Sequence, residues 1–299
     1  MRPNPVLKRL GLLDEDRVVV IHCDDIGMCQ ASVAAFEELH ETGIVSSGAV
    51  MVPCPWFLAA KKITRKFPQI DLGVHLTLTS EWSEYRWGPI STRDPASGMI
   101  DNEGYFFATS KEAQANIEPD FANVELAMQI ARMSEGGFLP SHIDTHMGTV
   151  AHPKLMQTYI ELAITNKLAL MIFRLDTEGW MATGLDSDSA IIATELVTNL
   201  EDMGIPLFDH IRSMPLDDSS IRLDMAKAIF KDLPSGLTHF IIHPAIDTPE
   251  IRRISPDWLA RVGDYEVFNN EALRAFIRQQ GIHVIGYRQL QKMMPGFSD

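Results

Sequence analysis

Residues 18–43 read VVVIHCDDIGMCQASVAAFEELHETG. The first six are apolar on both faces up to His22, the pattern of a strand buried on both sides of a parallel sheet. From residue 31 the apolar positions Val33, Phe36 and Leu39 recur at helical spacing, and Gly43 supplies a stop. A strand followed at once by an amphipathic helix is one βα unit, and the same alternation continues along the chain. Strands are predicted at 44–52, 71–79, 139–146, 168–175, 205–209, 238–244 and 283–287. Helices are predicted from about Pro55, over 121–134, after Pro153, and near 191–203, 221–233 and 270–280. Seven or eight strands of this kind predict an α/β fold with a mostly parallel sheet, and the count favours a distorted (β/α) barrel over an open doubly wound sheet. Residues 1–299 are expected to form a single catalytic barrel domain. Residues 80–118, rich in Gly, Pro and aromatics, break the rhythm as an inserted loop, and loops of this length are usually lids or binding loops.

Composition removes several classes of function. The chain of 299 residues carries 26 Lys+Arg against 40 Asp+Glu, a formal charge of −14. A surface of that sign does not attract phosphate backbones, so no nucleic-acid partner is expected. Cys23, Cys29 and Cys54 form no metal-knuckle or disulfide pattern. No apolar run approaches the roughly 18 residues of a membrane span, and the N-terminus lacks a signal-peptide core. The expectation is a soluble cytoplasmic protein with no membrane partner. No GxGxxG or GxxxxGK[ST] follows the first strand, so neither dinucleotide nor P-loop chemistry has support.

In α/β architectures function gathers at the C-terminal ends of strands. The ionisable residues fall there with regularity: His22, Asp24 and Asp25 end the first strand, and His75 with Thr77 and Thr79 lies on a later one. His142, Asp144 and His146 alternate along another, Arg174 and Asp176 close the next, and His243 precedes Pro244. Each alone has a plain structural reading. Paired aspartates suit a helix N-terminus, a lone histidine suits a hydrogen-bonded core, and Arg174 suits an ion pair. Three titratable groups on one strand face, however, are costly to desolvate without partners. Two imidazoles and a carboxylate with positions open to water form a common catalytic metal arrangement. Such an ion lowers the pKa of bound water and polarises a carbonyl.

The stretches HCDDIGMCQASVAAFEELHETGIVSSGAVMV, DLGVHLTLT, LPSHIDTHMG, FIIHPAID and EALRAFIRQQGIHVIGYRQL, in this order, resemble the YdjC-like carbohydrate deacetylases, the family of chitooligosaccharide deacetylase. The resemblance implies a polysaccharide-deacetylase-like distorted barrel that hydrolyses the N-acetyl amide of an acetylated amino sugar or short oligosaccharide. By position it implies Asp25, His75 and His146 as ligands of one divalent metal, Asp24 as catalytic base and His243 as general acid. His142 and Asp144 then stand behind the ligands or touch substrate, and Arg174 holds a sugar group or a structural partner. Trp82, Tyr85, Trp87 and Tyr105 in the insert either stack on sugar rings or pack a lid. An imidazole-rich set suits zinc, cobalt, nickel or manganese, whereas the family is commonly described with magnesium. A homodimer is compatible with the resemblance. One departure is visible: where many members continue the histidine strand with further histidines, this chain reads HMGTV. Other metallohydrolase chemistry, on an ester, a phosphoester or a non-sugar amide, stays open, as does a non-catalytic sugar-binding relative.

Overall fold

A computed structural model describes residues 3–42, 44–217 and 220–297; the stop expected at Gly43 lies outside them. Eight strands among these residues form one sheet: β1 (Arg17–Ile26), β2 (Ser47–Val50), β3 (Leu72–Leu76), β4 (His142–Thr145), β5 (Ala169–Leu170), β6 (His210–Ser213), β7 (Gly236–Ile242) and β8 (His283–Val284). The order is β5-β4-β3-β2-β1-β7-β6, with β8 added beside the start of β1. All pairs are parallel. The sheet curls until its two edges meet through a single parallel bridge, Phe173 with Phe208. There the Phe208 N–H donates to Ile172 C=O (2.9 Å) and the Arg174 N–H to Phe208 C=O (2.8 Å). The expected distorted barrel is thus what the chain forms.

Alternation along β1 decides what fills the barrel. Val19, Ile21 and Cys23 pack outward in the large core with Phe36, Leu39 and Phe240. Val18 and Val20 belong to a second core with Leu7, Phe208, Leu237, Tyr287 and Leu290, which plugs the N-terminal end. His22 and Asp24 continue the inward series, so the interior changes from apolar to ionisable towards the strand C-termini. Each fully buried aliphatic of the plug contributes about 1.5–3 kcal/mol, and this stability supports the polar column above it.

Several strands are shorter than or shifted from expectation: that at 44–52 is regular only at Ser47–Val50, and that at 283–287 only at His283–Val284, with a helix starting at Tyr287. The run 168–175 is a regular strand only at Ala169–Leu170, beyond which Phe173 bridges Phe208 on the other edge and the Tyr159 hydroxyl joins the ladder. It donates to Ile143 C=O (2.8 Å) and accepts the Met171 N–H (3.2 Å). The strand expected to reach Thr79 stops at Leu76. Beyond it the Gln129 amide takes both backbone groups of Thr77, at 3.0 and 2.9 Å. The strand expected at 205–209 pairs instead at His210–Ser213, after the bridge at Phe208.

Gly73 faces the interior opposite His142. A Cβ there would lie 2.5 Å from the His142 ring, which cannot retreat because it stacks on Tyr287 at 3.7 Å. Gly73→Ala is therefore expected to destabilise the fold by about 1–3 kcal/mol, read as a lowered urea midpoint with unchanged slope. An unchanged midpoint would contradict this packing.

Candidate metal centre

The site begins with an irregularity in β1. Its register with β2 shifts between Cys23 and Ile26, and Asp25 takes a left-handed backbone with φ of 58°. In a regular strand, consecutive side chains point to opposite faces. Here the bulge turns both carboxylates towards β3, so His75 Nε2 lies 3.8 Å from Asp24 Oδ2 and 3.4 Å from Asp25 Oδ1. A non-glycine residue at positive φ costs on the order of 1 kcal/mol, a strain typical of functional sites.

Asp25 Oδ1, His75 Nε2 and His146 Nδ1 form a triangle with edges of 3.4, 3.1 and 3.3 Å. At a bond length near 2.1 Å, donors of one ion stand about 3.0 Å apart in an octahedron and about 3.4 Å apart in a tetrahedron. The three atoms fit one face of either. Asp25 Oδ1 is buried and has no hydrogen-bond partner among the described residues. The cluster can therefore hold a metal ion on donors already at coordination spacing.

Each donor is fixed by a further group behind it. Asp144 Oδ1 accepts from His75 Nδ1 at 2.8 Å, which turns the lone pair of Nε2 to the cluster. Glu81 Oε2 meets His146 Nε2 at 3.0 Å, which does the same for Nδ1. Arg261 Nη1 donates to Asp25 Oδ2 at 2.7 Å while its Nε donates to Asp257 at 2.8 Å. Carboxylates behind ligating histidines are the usual device for setting tautomer and ring orientation.

The charges lean the same way. Asp24, Asp25 and Asp144 are buried, and the guanidinium that meets Asp25 is shared with Asp257. Burial opposes charge on Asp25, yet Arg261 and His146 hold its carboxyl well below the usual range. Burial likewise opposes protonation of the two histidines. Asp144 and Asp24 nevertheless push His75 well above its ordinary value, and Glu81 and Asp25 push His146 up to about 9. Without an ion, imidazolium supplies the positive charge that the carboxylates require.

A pH dependence follows for the ion-free chain. Because the folded pKa of His146 lies above the unfolded value of about 6.5, its contribution is fully present below that pH and is lost as pH rises through about 9. The loss is on the order of 2–3 kcal/mol. Melting temperature is expected to fall from pH 6.5 to 9 in the ion-free protein. The ion-loaded protein, whose ligands are already deprotonated, should lack this fall. A flat ion-free profile would contradict the account.

Beneath the cluster runs a column of buried histidines. His22 Nδ1 bonds Asp24 Oδ1 (2.7 Å) and its Nε2 meets His142 Nε2 (2.8 Å). His239 Nδ1 meets the Tyr287 hydroxyl at 3.1 Å. Burial, reinforced by His22, keeps His142 and His239 well below the ordinary imidazole range, hence neutral. His22, Asp24, Asp144 and His239 also lie close enough to suggest a second metal group. Within that group His22 Nδ1 bonds Asp24 Oδ1 and Asp144 Oδ1 accepts from His75 Nδ1, so part of its donor capacity is spent on hydrogen bonds.

The structure brings Asp24, Asp25, His75, Asp144, His146 and His243 to one mouth. His243 Nε2 stands 3.9 Å from Asp24 Oδ2, and Asp264 accepts the His243 backbone N–H at 3.0 Å. His142 lies one layer below, against His22 and Tyr287. Arg174 bonds Asp209 (2.9 Å) and Glu201 (2.7 Å), the structural ion pair. Trp82 and Trp87 are buried and pack on each other and on Tyr85. Trp87 Nε1 donates to Thr79 C=O and the Tyr85 hydroxyl to Met28 C=O. Tyr105 is exposed, with the Arg86 guanidinium over its ring. A cleft of about 470 Å³ opens between the insert and the helices Pro249–Ile254 and Trp258–Phe268, lined by Glu81, Trp82, Arg252, Arg253 and Trp258.

Glu81 and Arg261 were not singled out from sequence. A carboxylate six residues past His75, in a segment already marked as functional, was the available signal for Glu81. Arg261 gave none: its helix buries Ala260, Arg261, Asp264, Val267 and Phe268, a helical stripe in which two charged residues mask the periodicity.

A curled parallel α/β barrel with two histidines and an aspartate clustered at its C-terminal mouth defines the class: a barrel protein with a candidate metal site. More narrowly, the chain belongs to the YdjC-like protein family, whose profile matches residues 18–279. It is 28% identical over 289 residues to a carbohydrate deacetylase of Thermus thermophilus, covering 97% of this chain and 99% of the relative. It is 22% identical over 275 residues to a carbohydrate deacetylase of Thermoanaerobacter pseudethanolicus, covering 92% and 100%. A crystal structure from Enterococcus faecalis V583, of a protein named for cellobiose-phosphate cleavage, superposes with a TM-score of 0.75 at 22% identity. It covers 92% of this chain and 99% of that one, and it shows the shared fold. No helix among the described residues is long and apolar enough to cross a membrane.

Proposed function

We propose that the chain is a metal-dependent deacetylase that hydrolyses the N-acetyl amide of an acetylated amino sugar or short oligosaccharide, releasing acetate. The observation that carries this reading is the donor triangle of Asp25, His75 and His146, each member held by its own outer partner. The full-length similarity to carbohydrate deacetylases supplies the substrate class. Asp25, His75 and His146 would hold a divalent ion, which would supply a Lewis acid for the acetyl carbonyl and lower the pKa of water. Two imidazoles with one carboxylate favour zinc or a similar transition ion over magnesium.

Asp24 acts as the base. His22 occupies its Oδ1, which leaves Oδ2 facing the mouth to accept a proton from the attacking water. His243, across from that oxygen, donates a proton to the leaving nitrogen as the C–N bond breaks, giving acetate and the free amine. The cleft beside Glu81 takes the sugar, with Trp258 and the edge of Trp82 as its apolar walls. Residues 1–299 act as one catalytic unit. The three buried free thiols suit a reducing cytoplasm.

The test is acetate release from N-acetylglucosamine oligomers. It is expected to stop on chelation and to return with zinc, cobalt or manganese. Activity that survives complete metal removal would overturn the reading.

A further inference from the structure

Two adjacent residues of the aromatic insert bear on two of the three candidate metal donors, Glu81 directly and Trp82 through Arg261. Glu81 Oε2 meets His146 Nε2 at 3.0 Å. The Trp82 ring lies 5.5 Å from the Arg261 guanidinium, which in turn holds Asp25 Oδ2. We propose that Glu81 is a positioning residue that couples ion binding at Asp25, His75 and His146 to the closed packing of the insert. This rests on the metal reading above.

The contact at His146 decides which nitrogen faces the ion. With Nε2–H donated to Glu81, the lone pair of Nδ1 points at Asp25 and His75. Without that acceptor, the other tautomer and a flipped ring become accessible. His75 has no such dependence on the insert, since its partner Asp144 lies within the sheet on β4. Of the three outer partners, Glu81 alone comes from the long loop.

The backbone around Glu81 is tied on both sides. The Ser80 N–H donates to Phe107 C=O (2.9 Å), and Ser80 Oγ accepts from the Trp87 N–H (3.0 Å). The Phe106 N–H closes the turn on Trp87 C=O (3.1 Å). The far rim is tied less firmly: Glu84 pairs with Arg253 across the cleft, both well exposed, and such pairs contribute little. Packing of residues 80–107 and placement of the His146 ring therefore favour one another. By reciprocity, an ion that needs this ring orientation also steadies the insert.

The test compares the wild-type chain with Glu81→Ala, Glu81→Gln and Glu103→Gln, an exposed control in the same insert. Zinc affinity is measured by calorimetry, and amide exchange over residues 80–107 is measured with and without zinc. Glu81→Ala is expected to bind zinc about 10–100-fold more weakly. Glu81→Gln, which keeps an acceptor without the charge, should fall between, and Glu103→Gln should match wild type. Zinc should slow exchange of the insert in wild type but not in Glu81→Ala. Wild-type affinity in Glu81→Ala, or equal slowing of exchange in both chains, would overturn the coupling and leave the metal reading intact. A wild-type chain that binds no zinc would overturn both.

Discussion

His75→Ala and His146→Ala are each expected to empty the metal site and to lower acetate release by about 10³-fold or more, equivalent to roughly 4 kcal/mol of transition-state stabilisation. Each variant removes one corner of a triangle whose edges are 3.1–3.4 Å, and two remaining donors do not hold an ion against competing water. The two differ in their effect on the fold. His75→Ala leaves Asp144 buried without the imidazole it accepts from, an uncompensated buried charge that costs a few kcal/mol. His146→Ala leaves Glu81, which is partly exposed and can turn to water. His146→Ala is therefore the cleaner probe, since it loses the metal yet leaves Asp25 paired with Arg261. A folded His146→Ala chain with full metal content would show that the ligand set is wrong.

The second large effect lies at Asp24 and His243, the pair proposed to transfer protons. Asp24→Asn and His243→Ala are each expected to lower kcat by about 10²–10⁴-fold while retaining the ion, since neither side chain belongs to the donor triangle. Asp24 is ionised at neutral pH: burial pushes its carboxyl up, but His75 and His22 pull it well below the usual range. The asparagine keeps the contact with His22 and removes the basic oxygen. His243 has a partly exposed side chain at the mouth, so its loss should leave the melting temperature almost unchanged. Ion content and kcat measured on the same preparations separate this pair from the ligands. Loss of metal in Asp24→Asn would move Asp24 into the ligand set.

Much of the fold was legible because parallel strands buried on both faces write themselves as apolar runs. VVVIHC carries no other reading once a helix follows it. Two of the places where the strands depart from the sequence reading are those where a side chain joins or caps the ladder. Tyr159 and Gln129 do so through hydrogen bonds from distant parts of the chain, and no local pattern announces this. The site divides in the same way. Asp24, Asp25, His75, Asp144, His146 and His243 lie on or at the ends of strands, where position alone marks them. The outer partners Glu81 and Arg261 come from an irregular insert and from a helix whose buried stripe includes charge, with Arg261 acting on a residue 236 positions away. Carboxylates and histidines on strands predict that a site exists. What holds the donors in register comes from elements whose periodicity is obscured.

The backbone at Asp25 belongs to the same lesson. In a regular strand the consecutive Asp24 and Asp25 would face opposite sides, and the bulge in β1 explains how both reach His75. That bulge, with Arg261 behind it, aims Asp25 Oδ1 at two imidazole nitrogens and leaves it without a hydrogen bond.

Anomalous diffraction from crystals soaked in zinc or manganese tests the central claim most directly. The account predicts one principal peak per chain, about 2.0–2.2 Å from Asp25 Oδ1, His75 Nε2 and His146 Nδ1, with Glu81 still on His146 Nε2. A principal peak among His22, Asp24, Asp144 and His239, or an ion bound through His146 Nε2, would contradict it.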